Sequence, residues 1–208
     1  MIEMIGIVDY GMGNLHSVEK ALTKLGGQVQ ILHDPQQLDV VSALVLPGVG
    51  AFDPAMAKLQ QGGWVHALKD WDGQNKPLLG ICLGLQLLFE GSDEGELPGL
   101  GLLAGRVEPL PLMPGEPRPH MGWAPLTSAA PSALFDHQAT PVWMYFVHSF
   151  AAVPADRSCI TALAPYGTSQ VVAAVGRGSL QASQFHPEKS GEAGLLLLRR
   201  WLQTLPWA

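Results

Sequence analysis

Through the first ninety residues, short fully apolar runs alternate with amphipathic stretches. Met4–Val8 (MIGIV) predicts a buried strand, and the polar, glycine-rich Asp9–Asn14 a loop after it. Val18, Ala21, Leu22 and Leu25 then recur at helical spacing, with Ser17 placed to cap the start and Gly26-Gly27 to end it. Val29–Leu32 and Ala43–Leu46 predict a second and a third strand, the third closed by Pro47-Gly48-Val49-Gly50. A helical stretch begins over Pro54–Leu59 and is expected to run on toward Trp64 and Trp71. Leu78–Ile81 predicts a fourth strand, and Leu85–Phe89 continues as a helix. Strands that lack a polar face need cover on both sides. Alternating with helices, they imply a mostly parallel sheet between helical layers.

The second half changes character. From about Gly99 to Phe185 helical spacing is sparse and β-like runs dominate: Val142–Val147, Cys159–Leu163, Val171–Val175 and Leu180–Phe185. A closing helix is expected over Ala193–Leu205. No long Ser/Gly/Pro linker divides the halves, so the later strands are expected as antiparallel additions to the same sheet. The expected fold is α/β: a three-layer, open, mostly parallel sheet flanked by helices, with antiparallel β additions, forming one domain over residues 1–208.

Composition narrows the function classes. Lys+Arg 12 and Asp+Glu 18 amount to only 14% of 208 residues, where a soluble domain carries roughly 25%. The net charge of −6 and the lack of a Lys/Arg-rich run argue against a nucleic-acid partner, which needs a concentrated positive surface. The apolar run Leu195–Leu198 stops at Arg199-Arg200, far short of the roughly 18 residues of a membrane span. Met1–Tyr10 contains Glu3 and Asp9 and does not read as a signal peptide. Two cysteines, Cys82 and Cys159, make no disulfide framework and suit a reducing compartment. The expectation is a soluble cytoplasmic domain.

Three segments carry chemistry. Gly80-Ile81-Cys82-Leu83-Gly84 sets a thiol between two glycines where an apolar strand turns into a helix, the pattern of a nucleophile elbow with sulfur for hydroxyl. The N–H groups and dipole of the following helix are expected to favour thiolate, with the Leu83 N–H as one oxyanion donor. Cys159 has no glycine flanks and reads as a core thiol. In Gln184-Phe185-His186-Pro187-Glu188, residues two apart in extended chain share a side, so Glu188 is expected to accept from one imidazole nitrogen while the other faces the nucleophile. The histidines at 16, 33, 66, 120 and 137 lack this acid-plus-proline context. Pro47-Gly48-Val49-Gly50 follows a strand at the carboxyl edge, where α/β sites collect, and its N–H around Val49 or Gly50 is a candidate second oxyanion donor. A cysteine elbow and a His-x-Glu at two strand ends of one sheet predict a Cys82-His186-Glu188 triad.

These segments, with Gln86 four residues after the cysteine, resemble the triad (class I) glutamine amidotransferases. Asp9-Tyr-Gly-Met-Gly-Asn14-Leu-His-Ser17, His120-Met-Gly-Trp123, Tyr145-Phe-Val-His148-Ser149 and His186-Pro-Glu-Lys189-Ser190 narrow the likeness to the glutaminase subunits of imidazole glycerol phosphate synthase, over essentially the whole chain. The resemblance implies glutamine hydrolysis to glutamate and ammonia, with no cofactor and no metal. It also implies a heterodimer with a (β/α)8-barrel cyclase subunit (HisF), which receives the ammonia through a channel. Gln86 is implied to contact glutamine, with Gly50, Ser149 and Phe150 nearby and Glu94 toward its amino group. Asn14, Met121, Trp123, Tyr145 and Lys189 are implied to face the cyclase. Ala124 departs from the pattern, which has Asn after Met-Gly-Trp.

A dinucleotide-binding module is the competing class, since Gly11-Met-Gly13 follows the first strand and Asp34 lies about 20 residues on. The position of the third glycine is His16, against that reading. A different triad glutaminase is the other. If Met121, Trp123 and Tyr145 lie on a docking face, part of the shortage of charge belongs to that face, since interface cores are poor in charge and rich in aromatics and Met.

Overall fold

The computed structural model describes residues 3–113, 115–128, 132, 134–135 and 142–207; His137 lies outside the described residues. In chain order the elements are β1 (Met4–Val8), α1 (Leu15–Lys24), β2 (Gln28–Leu32), β3 (Ala43–Gly48), α2 (Phe52–Gln61), α3 (Trp64–Gly73), β4 (Leu78–Cys82), α4 (Leu83–Gln86) and β5 (Gly91–Ser92). There follow β6 (Gly105–Pro109), β7 (His120–Ser128), β8 (Val142–His148), β9 (Phe150–Pro154), β10 (Ile160–Tyr166), β11 (Ser169–Arg177), β12 (Leu180–Ser183) and α5 (Gly191–Gln203). Short 3₁₀ turns occupy Pro35–Val40, Arg157–Cys159 and Pro187–Lys189.

Among the described residues, nine strands form one sheet in the order β2-β1-β3-β4-β12-β11-β10-β7-β8. From β2 to β12 the neighbours run parallel; from β12 to β8 they run antiparallel. The switch follows from connection length. A two-residue turn at Gly178 (φ +57) joins β11 to β12 as a hairpin, whereas each early strand is separated from its parallel neighbour by a crossover. A second sheet, β5-β6-β9, packs beside the first.

The apolar strands bury both faces, because successive residues point to opposite sides. Ile5, Ile7, Ala43, Val45, Leu79 and Ile81 join the core under α1 and α5, with Val18, Leu22, Leu198 and Trp201. Val8, Leu44, Leu46 and Leu78 join the other core, with Phe52, Leu59, Trp64 and Trp71 of α2 and α3. Each large side chain so buried contributes on the order of 1.5–3 kcal/mol.

Several expectations need correction. Asn14, not Ser17, is the N-cap of α1, and Ser17 lies inside the helix. The stretch from Pro54 to Trp71 is two helices, because Gly62-Gly63, with Gly63 at φ +72, breaks it. The helix expected over Leu85–Phe89 is a single turn, Leu83–Gln86, that then unwinds. Cys159 sits in a 3₁₀ turn before β10 rather than in the strand. The second half also holds strands that the apolar pattern did not announce (β6, β7 and β9), and β6 and β9 belong to the separate sheet. β6, for example, buries only Val107 and places Arg106 and Glu108 in solvent, so its apolar signal is a single residue.

Candidate active site

Cys82 ends β4 at the carboxyl edge of the sheet, with φ +56 and ψ −113. Only two non-glycine residues among those described have positive φ, and this is one. Such a conformation is strained for an L residue and persists only where the surroundings impose it. Here the glycines make it possible. A Cβ on Gly84 would collide with the Leu46 carbonyl oxygen, and one on Gly80 would come within 3.1 Å of the Ala182 Cβ and of the Gly84 carbonyl group. The sharp turn lifts the Cys82 side chain out of the strand and puts the Leu83 N–H at the first position of α4, where helix geometry leaves it without an intrahelical acceptor. The turn is too short for the helix dipole expected from the sequence; what it offers is oriented N–H groups.

His186 follows β12, the parallel neighbour of β4, and its Nδ1 lies 2.8 Å from Glu188 Oε1. Both side chains are almost wholly buried, at 2% and 1% exposure. The contact is not made in extended chain as the sequence suggested. Pro187 opens a 3₁₀ turn, and the turn folds Glu188 back onto the ring. Ser190 fixes this loop: its hydroxyl donates to the His186 carbonyl (2.6 Å) and accepts from the Tyr145 N–H (3.0 Å). The His186 N–H donates to the Tyr145 carbonyl (3.0 Å). His186 Nε2 is buried without a hydrogen-bond partner, on the side away from Glu188.

Burial opposes a proton on His186, but Cys82 and Glu188 together outweigh it and raise its pKa from 6.5 to about 9. Nearby His148 goes the other way, to about 4, chiefly because it is buried, despite its bond to the Phe150 carbonyl. His120, against it, is also lowered by burial. At neutral pH the proton therefore belongs to His186.

A cavity of about 270 Å³ opens between these groups. Its wall brings together Cys82, Leu83, His186, Val49, Gly50, Gln86, Glu94, Ser149 and Phe150, every cavity-facing residue singled out from the sequence. Glu188 stands behind His186. Gly50 has φ +106, and a Cβ there would meet Met12. The Pro47 carbonyl at the root of this loop accepts from the Tyr10 hydroxyl (2.9 Å), and burial holds that phenol well above its ordinary pKa. Glu94 Oε2 accepts from the Phe52 N–H (2.9 Å), joining the cavity wall to the start of α2.

Three wall residues were not assigned a role from the sequence: Pro119, Val147 and His148. Gln184, fully buried, was quoted only as part of the histidine segment; its carboxamide lies between Gln86 and Cys82. A polar residue two positions before His186 at the end of an apolar strand is the one signal that marked it.

Met121 and Trp123 are exposed, at 60% and 52%, and Tyr145 is half-buried against Trp123. Asn14 is half-buried and Lys189 exposed. Trp143, on the edge strand β8, adds another exposed ring. Ala124 points the other way from Trp123, into the core, so a polar Asn there would be a buried group rather than part of this face. Asp34, offered as a ribose ligand, caps the 3₁₀ turn Pro35–Val40 by accepting from the Gln36 N–H. Among the described residues no group of three or more His, Cys, Asp or Glu could hold a metal ion, and no helix is long and apolar enough to cross a membrane.

The fold matches solved glutamine amidotransferase structures: one described as the crystal structure of glutamine amidotransferase, with TM-score 0.72 at 19% identity over 94% of this chain and 98% of that one. PurLQS from Thermotoga maritima gives TM-score 0.74 at 18% identity over 98% and 99%. At these identities the likeness is one of fold. The family model described as "Glutamine amidotransferase class-I" matches residues 6–203. Imidazole glycerol phosphate synthase subunit HisH of a Synechococcus species is 56% identical over 97% of this chain and 94% of its own length. The HisH subunit of a Prochlorococcus marinus strain is 52% identical over 99% and 96%. The chain belongs to the class I glutamine amidotransferase family and, within it, to the HisH subunits of imidazole glycerol phosphate synthase.

Proposed function

We propose that this chain, as one domain over residues 1–208, hydrolyses L-glutamine at the cavity around Cys82 and delivers the ammonia to a (β/α)8-barrel cyclase subunit, HisF, in a cytoplasmic heterodimer. The glutaminase activity is that of its family, and the pathway is histidine biosynthesis. One observation carries the assignment of residues. A strained cysteine, a buried His–Glu pair and a glycine loop, from three separate strand ends, line or back one cavity.

The chemistry follows from the placement. Cys82 sulfur attacks the carboxamide carbon of glutamine, and the new oxyanion is held by the Leu83 N–H and an N–H of the Val49–Gly50 loop. The tetrahedral adduct collapses as His186 gives its proton to the departing nitrogen, so ammonia leaves and a thioester to Cys82 remains. His186, now neutral, takes a proton from water, which attacks the thioester carbon; glutamate departs and sulfur is restored. Glu188 keeps the Nδ1–H tautomer and stabilises the imidazolium. Gln86, Ser149 and Phe150 hold the substrate chain, and Glu94 takes its ammonium group.

The cyclase joins that ammonia to a phosphoribulosyl aminoimidazole carboxamide intermediate, giving imidazole glycerol phosphate and the aminoimidazole carboxamide ribotide. Asn14, Met121, Trp123, Tyr145 and Lys189 form the docking face toward it. Cys82→Ala is expected to abolish glutamine-dependent synthesis in the reconstituted complex while synthesis from added ammonium salt continues. Equal loss of both activities would refute the division of labour. The isolated chain is expected to turn over glutamine slowly, because a loop with two glycines adopts more than one peptide orientation until a partner biases it.

A further inference from the structure

Behind the cavity runs one hydrogen-bond network whose polarity is fixed at a single backbone atom. The Phe150 carbonyl accepts from Gln86 Nε2 (3.0 Å) and from His148 Nδ1 (2.8 Å). A carbonyl is acceptor only, so both partners must present N–H. For Gln86 this settles which end of the amide faces inward. The same Nε2 lies 3.0 Å from the carboxamide of Gln184, which must therefore offer its Oε1. The other end of the Gln184 amide is then its NH₂ group, and it faces Cys82 Sγ at 3.9 Å. For His148 the same logic leaves Nε2 as acceptor, filled by His120 Nδ1 at 3.3 Å. Flipping Gln86 would set its oxygen against the Phe150 carbonyl oxygen at 3.0 Å, and flipping Gln184 alone would set two NH₂ groups face to face at 3.0 Å, so the arrangement does not depend on how amide oxygen and nitrogen are told apart.

We propose that Gln184 is a positioning residue for the nucleophile: locked through Gln86 by the Phe150 carbonyl, its carboxamide N–H is held toward the Cys82 sulfur and favours the thiolate. The inference rests on the reading of Cys82 as the nucleophile. Sulfur sits between two opposed influences. The Val147 carbonyl, 4.0 Å away, accepts from the neutral thiol and repels a negative sulfur. Gln184 donates to the sulfur and does the reverse, and being fully buried it acts without screening by water. With α4 only one turn long, a side-chain amide supplies what a long helix dipole would otherwise give. It also ties the nucleophile to the substrate wall, since Gln86 and Phe150 both line the cavity.

The test is the rate at which iodoacetamide alkylates Cys82, followed on the Cys82 peptide by mass spectrometry across neutral to strongly alkaline pH. Gln184→Met keeps the length and removes both amide groups. It is expected to slow alkylation at neutral pH by about three- to tenfold, a long charge-assisted bond being lost, and to match the unsubstituted protein at strongly alkaline pH, where any thiol is ionised. Gln86→Met removes the lock but leaves Gln184 free to rotate, and is expected to slow it less. A merely structural role for Gln184 would lower the melting temperature and leave the pH dependence of alkylation unchanged. That result, in a folded Gln184→Met protein, overturns the proposal; if that variant does not fold, an unchanged rate in Gln86→Met overturns it. The readout needs no turnover, so it is separable from the nucleophile assignment, which fails if Cys82→Ala still hydrolyses glutamine.

Discussion

At Cys82 the chain accepts a φ of +56 that a cysteine does not adopt for its own sake, and the strained turn sets Cys82 and Leu83 in the wall of the same cavity as His186. The electrostatics of the pair set a pH window. His186 has its folded pKa raised from 6.5 to about 9, so its contribution to stability is complete below 6.5 and is lost as pH climbs through 9. In the proposed reaction the same proton goes to the leaving nitrogen. In the reconstituted complex kcat/KM for glutamine is expected to fall on an alkaline limb near pH 9. Glu188→Gln removes one of the groups that raise His186; it should shift the limb toward lower pH and lower the rate by about a hundredfold or more. A pH profile of Glu188→Gln that keeps the original limb would separate Glu188 from the imidazole. His148 and His120, both pushed the opposite way by burial, do not titrate in that window as cations competing with His186.

At the scale of elements, glycine placement decides whether the site exists at all. Gly84 has the Leu46 carbonyl where its Cβ would be, and that carbonyl belongs to β3, whose end carries the Val49–Gly50 loop. Gly84→Ala is therefore expected to push β3 and the elbow apart. Glutaminase activity should fall by well over tenfold, with a loss of stability of about 1–3 kcal/mol by urea denaturation. Full activity in Gly84→Ala would mean the elbow tolerates a wider turn than its packing suggests. The Gly-x-Cys-x-Gly spacing was legible because it is local and steric. The length of α4 was not, since Leu85, Leu87, Leu88 and Phe89 are all buried and an all-apolar run has no period from which to read a helix. Likewise the His186–Glu188 pairing was foreseen from residue types, while the turn that makes it was not. Pro187 suits both an extended segment and the first position of a 3₁₀ turn.

For the whole molecule, the low charge divides between two places. Both faces of the parallel strands are filled by apolar cores, which accounts for part of it. The rest includes an exposed band, Met121, Trp123 and Trp143 with half-buried Tyr145, on β7 and β8 at one edge of the main sheet. Large apolar side chains gathered in solvent mark an interaction surface more often than a free one. Trp123→Ala is expected to weaken association with the cognate cyclase by about tenfold or more, measured by titration calorimetry, while the isolated chain keeps its melting temperature. Unchanged affinity would move the docking face elsewhere.

The sequence by itself determined the strand-and-helix alternation, the apolar strands that must be covered on both sides, and the side chains that line or back the cavity around Cys82. These are properties of spacing and side-chain chemistry within a few residues of one another. Only the tertiary structure decided that β12 lies parallel beside β4 and sets His186 next to Cys82, that β6 and β9 leave the main sheet, and that Gln184 faces the sulfur. Those outcomes depend on which distant strands pair and on which polar group finds a partner once water is excluded. No local pattern encodes either one, because both are settled only by the packing of the whole chain.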